Sequence, residues 1–138
     1  MKTEFKIDNS IALEVNGIYI DLHNFYHLHD LNIEIPYNRI TLRWEKSEKW
    51  ISEKSPETCE IVFSSVSFFQ MSEHFYMEHP TNLEEIGFKE PDNFDHDWLG
   101  AQEHSNEKDH IFFRFRGDEF LRIYAKKAFI DLRTSDKK

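Results

Sequence analysis

Three clusters in this chain hold side chains whose types and spacing could do chemistry. The first is His23, His27, His29 and Asp30. Imidazole and carboxylate together bind zinc and other transition ions. A four-residue spacing joins His23 with His27 on a helix, a two-residue spacing joins His27 with His29 on a strand, and no single regular conformation satisfies both. The stretch lacks the glutamate of a His-Glu-x-x-His motif, and the chain has no Cys-x-x-Cys pair. Ordinary loop and strand-edge histidines are therefore the expectation, with metal binding through these four side chains as the alternative. The second cluster is Asp92, Asp95 and Asp97, oxygen ligands of the kind calcium takes. Their spacing is not that of an EF-hand loop and no closing glutamate follows, so a solvated acidic loop is the better reading. The third is Arg114, Arg116 and Arg122 with Phe112, Phe120 and Tyr124, which on one strand face could stack on bases or grip phosphate. The chain carries enough acid to neutralise these arginines, so a solvated or helix-covered outer face whose arginines pair with the acidic loop is expected instead.

Nucleophiles are scarce. Cys59 is the only cysteine, has no histidine beside it in sequence, and leaves no internal disulfide to form. There is no Gly-x-Ser-x-Gly elbow, no phosphate-binding glycine loop and no dinucleotide fingerprint, and four glycines in all leave little material for a phosphate cradle. The expectation leans away from an enzyme, and no cofactor is expected.

Charge narrows the partner. The net charge of -9 disfavours nucleic acid, whose phosphates are held mainly by Lys and Arg. The surplus sits entirely between Ser72 and His110, where eleven acids face two bases, Lys89 and Lys108; outside that window acids and bases cancel. Phe94 and Trp98 stand among these acids. Aromatic side chains ringed by carboxylates either anchor a loop to the core or meet a basic protein surface. The first residues hold no apolar run resembling a signal peptide, and no stretch approaches the roughly 20 apolar residues of a membrane-spanning helix, so a cytoplasmic location without membrane contact is expected.

The elements that must position these groups read as strands. At 138 residues the chain is expected to form one β-rich domain over 1–138, with a long acidic insertion at about 72–109. Ile11, Leu13 and Val15, then Ile18, Ile20 and Leu22, alternate about Asn16-Gly17, a type I′ hairpin signal that pairs Val15 with Ile18 and Leu13 with Ile20. His23 to Asp30 reads as a connection. Leu31, Ile33 and Ile35 pair with Ile40, Leu42 and Trp44 across Pro36–Asn38, and Glu45 to Glu57 reads as a surface loop. From Cys59 to Met71 the apolar parity switches at Ser64-Ser65, and a bulge there would place Ile61, Phe63, Val66 and Phe68 on one face. Thr81, Glu84 and Gly87 mark a short helix over 80–88. Lys89 to Asp109 reads as a long loop.

His110 to Leu132 is the longest alternating run. An odd-numbered turn at Gly117-Asp118, of three or five residues, keeps Ile111, Phe113 and Phe115 on the same face as Leu121, Ile123 and Ala125, with Phe115 expected opposite Leu121. Arg116-Gly117-Asp118 is read as turn chemistry alone. Ala128, Ile130 and Leu132 extend the sheet past a kink at Lys126-Lys127. The predicted fold is mainly β, an antiparallel sheet folded as a sandwich or open barrel with at most one or two short helices. The alternative is an α+β arrangement, a curved antiparallel sheet carrying one helix.

Phe63-x-x-Val66-x-x-Phe69 on one strand, followed by a terminal hairpin with Gly117-Asp118 and then Leu121, Ile123 and Ala125, resembles small β-rich bacterial proteins of unassigned function, some of them immunity proteins of contact-dependent toxin systems. The resemblance covers about a third of the chain and carries over no catalytic residue. It implies a non-enzymatic protein that binds and blocks a cognate toxin. The expected partner-binding residues are Glu90, Asp92, Phe94, Asp95, Asp97 and Trp98, set against a basic protein. The alternatives are a metal-binding protein or metal-dependent enzyme built on His23–Asp30, and a plain oligomeric domain using a sheet edge or the Phe112 face. The sequence leaves the oligomeric state open.

Overall fold

A computed structural model describes residues 1–48, 55–78, 81–95 and 98–133 of the chain. The fold is mainly β: one curled antiparallel sheet forming a half-barrel, with a small sheet against it. In chain order the strands are β1 (Lys2–Thr3), β2 (Lys6–Asp8), β3 (Ala12–Val15), β4 (Ile18–Asp21), β5 (Tyr26–Glu34), β6 (Arg39–Lys46), β7 (Thr58–Met71), β8 (Leu83–Lys89), β9 (His110–Phe115) and β10 (Phe120–Arg133). Two four-residue helices, α1 (Leu22–Phe25) and α2 (Phe75–Glu78), complete it. The large sheet runs β5-β6-β7-β10-β9-β8, with β1 pairing parallel to β10; the small sheet runs β2-β3-β4. No helix among the described residues is long and apolar enough to cross a membrane.

The Asn16-Gly17 hairpin forms with the predicted register, Val15 opposite Ile18 and Leu13 opposite Ile20, and both turn residues have the positive φ a type I′ turn requires. Its buried side chains Leu13 and Ile20, with Leu22, join the core of the large sheet. That core is aromatic at its centre. Trp44 stacks on Phe115 at 6.0 Å between ring centroids, and Phe75 of α2 meets the same Phe115 edge-on at 5.3 Å.

The terminal hairpin turns through three residues, Arg116–Asp118, with Phe115 N donating to Glu119 O at 2.8 Å. The odd count and the common apolar face are as expected, but the register differs by two residues: Phe113, not Phe115, faces Leu121. Both registers bury the same face, so the apolar pattern does not choose between them. The turn does, because Gly117 and Asp118 both take left-handed φ.

β10 continues through Arg133, past Lys126-Lys127, where its buried parity changes from Ile123 and Ala125 to Ala128. β7 adjusts alongside it. Ser65 takes a positive φ, which carries Val66 to the core side with Ile61 and Phe63. A second irregularity follows, since Tyr124 pairs with Phe68 but Ala125 pairs with Val66. Phe69 therefore packs on the core in place of the predicted Phe68, whose ring lies against His110.

Two expectations are overturned. Residues 83–89 form strand β8, not a helix, because pairing with β9 on one edge, joined by Ile86 N donating to Ser10 O and by the Phe88–Gly100 pair, gives the segment more backbone hydrogen bonds than an isolated two-turn helix would. The connection expected over His23–Asp30 is partly strand: β5 begins at Tyr26, with its period hidden by a bulge between Leu28 and Asp30. The expected Glu45–Glu57 loop begins after Lys46, and its residues 49–54 lie outside the described residues.

Gly87 sits where residues 99–100 cross β8, and Phe88 and Gly100 exchange backbone hydrogen bonds of 3.0 and 2.8 Å. A Cβ at Gly87 would lie 2.6 Å from Leu99 Cβ and 3.0 Å from Gly100 O. Gly87→Ala is therefore expected to destabilise the protein by about 1–3 kcal/mol in urea unfolding, with the midpoint lowered and the slope retained.

Candidate functional site

The outer face of β9 and β10 is closed, and a buried cation closes it. Arg122 is fully buried. Its Nε donates to His110 Nδ1 at 2.9 Å, Nη1 to Asn93 O at 2.7 Å, and Nη2 to Glu90 O and Pro91 O at 2.9 and 3.3 Å. The guanidinium lies 4.8 Å from the Phe94 ring centroid and 5.8 Å from that of Phe68. A buried charge needs partners for each donor, and here they are backbone carbonyls of residues 90–93. Arg122 meets the acidic loop as expected, though through backbone carbonyls in place of carboxylates, while Arg114 pairs with Glu85 of β8. Phe112 is fully buried and stacks on Phe120 at 5.0 Å, so the Phe112 face proposed for oligomer contact is not available.

Lys89 plays a matching part at the end of β8. It is 2% exposed, its Nζ donates to Asp95 O, and it lies 4.5 Å from the Trp98 ring centroid. Asn93 Oδ1 accepts from Asp95 N at 2.8 Å, which tightens the turn between the two clamps. The segment is thus fastened from beneath by two cations through its own carbonyls. Its side chains are turned outward: Glu90, Asp92 and Asp95 are exposed, Phe94 is 62% exposed and Trp98 54%. Asp97 lies outside the described residues. Among the described residues Asp92 and Asp95 join no group of three metal-ligating side chains.

The rest of the acid-rich window is spread over the fold. Glu84 and Glu85 stand on β8, and Asp109 is buried. Gln102, in the 3-10 turn of residues 102–104, receives Ile7 N at 2.6 Å and donates to Thr3 Oγ1 at 3.1 Å. The carboxylates nearest the two clamps, on residues 90–95, form the compact acidic patch.

The histidines separate into two places. His23, in α1, donates from Nδ1 to Leu83 O at 2.8 Å. His27 and His29 point outward from β5 and meet Glu45 of β6, and the ligand atoms of these three lie within 4.8 Å of one another. Asp30 faces Arg43 across the strand pair. Cys59 is fully buried, and burial followed by Glu60 and Asp131 pushes its thiol up to about 12, so it offers no thiolate. Along the β5 edge, Ile33, Ile35 and Tyr37 are exposed beside an apolar groove of about 450 Å³ floored by Leu28, Phe75 and Tyr76.

Sequence reasoning marked Glu90, Asp92, Phe94, Asp95 and Trp98 and set Arg122 against the acidic loop, but it missed Lys89 and Glu45. The one available signal for Lys89 was its isolation as a base among acids.

His110 accepts from Arg122 at Nδ1 and so carries its proton on Nε2. Burial, then the adjacent guanidinium, pushes its pKa down to about 4 from the usual 6.5. Above about pH 6.5 it is neutral in both states and its contribution is fully present. As pH falls toward 4 the unfolded chain takes up the proton first, so stability should drop by up to about 3 kcal/mol. Urea midpoints measured from pH 7.5 to 5 should fall more steeply for the natural protein than for His110→Gln; parallel curves would show that His110 protonates freely in the fold.

No family model, curated protein or solved structure matches this chain, so what it does has to come from its geometry.

Proposed function

We propose that this chain is a small, non-enzymatic, cytoplasmic bacterial binding protein, immunity-like in kind, whose Glu90–Trp98 segment meets a basic surface on a partner protein. One observation carries this reading. Lys89 and Arg122 lie beneath the segment and donate to its carbonyls, while Glu90, Asp92 and Asp95 are exposed and the Phe94 and Trp98 rings, each set over one of these cations, keep more than half of their surface in solvent. Glu90 and Asp92 make no ion pair among the described residues. Clamping fixes the backbone before any encounter, which lowers the ordering cost of binding. Exposed carboxylates raise the rate of encounter with a basic partner, and Phe94 and Trp98 supply apolar area at the centre of the contact.

The test is a binding screen of this chain against the products of its neighbouring genes for a basic partner, followed by stopped flow of the bound pair across a salt series; binding to none of them would count against the reading. Reversing Glu90, Asp92 and Asp95 to lysine should slow association by about tenfold or more and flatten its salt dependence. Trp98→Ala should act mainly by speeding dissociation, about 2 kcal/mol in affinity. Unchanged association in the charge-reversed protein would discard the reading.

A second reading, self-association through the β5 edge, is favoured by the exposed Ile33 and Ile35 beside the apolar groove. It expects a mass that rises with concentration in light scattering, and a constant monomer would remove it.

A further inference from the structure

On the opposite edge of the sheet from the acidic segment, β5 and β6 bring three nitrogen and oxygen ligands to one point. His27 and His29 are two residues apart on β5 and so share its outer face. Glu45 is the residue directly across from His27 in β6. The bulge between Leu28 and Asp30 lets this happen without disturbing the core: Leu28 is opposite Trp44 before it and Leu31 is opposite Leu42 after it, so the buried side is kept while His29 and Asp30 both stay outside. The two imidazoles stand nearly perpendicular, at 71°, with centroids 6.4 Å apart. His29 Nδ1 lies 3.5 Å from Glu45 Oε1.

We propose that His27, His29 and Glu45 form a binding site for a divalent first-row transition ion of the Zn²⁺ class. Bonds of about 2.0–2.2 Å from a tetrahedral ion place neighbouring ligand atoms about 3.3 Å apart. The His29–Glu45 pair already has nearly that spacing, and the longest separation in the trio, within 4.8 Å, exceeds it by no more than about 1.5 Å. Two imidazoles select zinc, cobalt, nickel or copper over calcium and magnesium, which take oxygen.

The supporting contacts also suit a ligand set. Arg43 Nη2 holds Glu45 at Oε2, 3.2 Å away, which leaves Oε1 directed at the histidines. His27 Nδ1 lies 3.4 Å from Ser47 Oγ, and a hydrogen bond there presents Nε2 outward. Such outer contacts fix ring and carboxylate orientation in metal sites. The His29 side chain is 53% exposed, so a fourth coordination position opens to solvent. Of the four residues marked in the sequence, His23 and Asp30 take no part. Glu45 replaces them because strand pairing brings it from a different stretch of chain.

The experiment is titration of the purified full chain with Zn²⁺ by calorimetry, repeated with Co²⁺ to read its visible absorption. One equivalent should bind, and the Co²⁺ bands should have the intensity of a four-coordinate site. Glu45→Gln and His29→Ala should each weaken Zn²⁺ binding by about tenfold or more, whereas His23→Ala should leave it unchanged. His29 is exposed and Glu45→Gln keeps the side chain's shape, so both variants should melt as the natural protein does without metal. A stoichiometry far below one in the natural protein overturns the proposal, as does Zn²⁺ binding that survives in Glu45→Gln and His29→Ala.

Discussion

A guanidinium with no route to water organises one whole side of this molecule. Arg122 projects from β10 into a layer made by residues 90–95, and each of its donor nitrogens meets an acceptor there or on His110. Desolvating such a group costs several kcal/mol, which the geometry offsets with hydrogen bonds to carbonyls and with the faces of Phe68 and Phe94. The arrangement works in both directions. Residues 90–93 make few backbone bonds of their own, so the arginine supplies the donors that keep their carbonyls satisfied beneath a partly buried surface. Losing either partner would strand the other.

This constraint explains how Arg122 can hold residues 90–93 without neutralising Glu90 or Asp92. It attaches to carbonyl oxygens, which carry no net charge, so the carboxylates of Glu90 and Asp92 keep theirs for the outside. Had Arg122 paired with a carboxylate, the segment would be held equally well but would present less charge. The two candidate sites also lie at opposite ends of the strand order β5-β6-β7-β10-β9-β8.

Much of the fold is legible in the residues because one face of each strand pair is buried. Asn16-Gly17 leaves a single choice of turn, and the Ile111–Phe115 and Leu121–Ala125 sets leave a single choice of face. What escapes is whatever the apolar pattern does not distinguish. A two-residue slide of the last hairpin keeps the same face inward, so only the left-handed pair at Gly117 and Asp118 selects it. The Thr81–Gly87 stretch carries real local helix signals, yet a seven-residue segment gains more from β9 than from two isolated turns. At the sites the limit is similar. Outward acids and rings are visible as composition, and Arg122 stands out on its strand face, but Lys89 looks like any surface base until the strands are placed, and nothing in the sequence says that Arg122 grips carbonyls. Glu45 becomes a neighbour of His27 only through pairing, and the bulge at His29 breaks the very alternation by which β5 would have been recognised.

The short β1 has a consequence out of proportion to its two residues. β9 covers only the first part of β10, and Lys2–Thr3 take the same edge further along, near Lys127 and Ala128, reinforced by Glu4 N donating to Ala128 O and by the Glu4–Lys127 ion pair. Without them one of the two longest described strands would offer open amides to any other extended chain, the usual template for aggregation. The guard pairs Lys2 with Lys127 and Thr3 with Ala128, contacts that span most of the sequence between them, so closing this edge carries the loop-closure cost of a distant contact. The seam of the main sheet is thus sewn by one of its least local stitches.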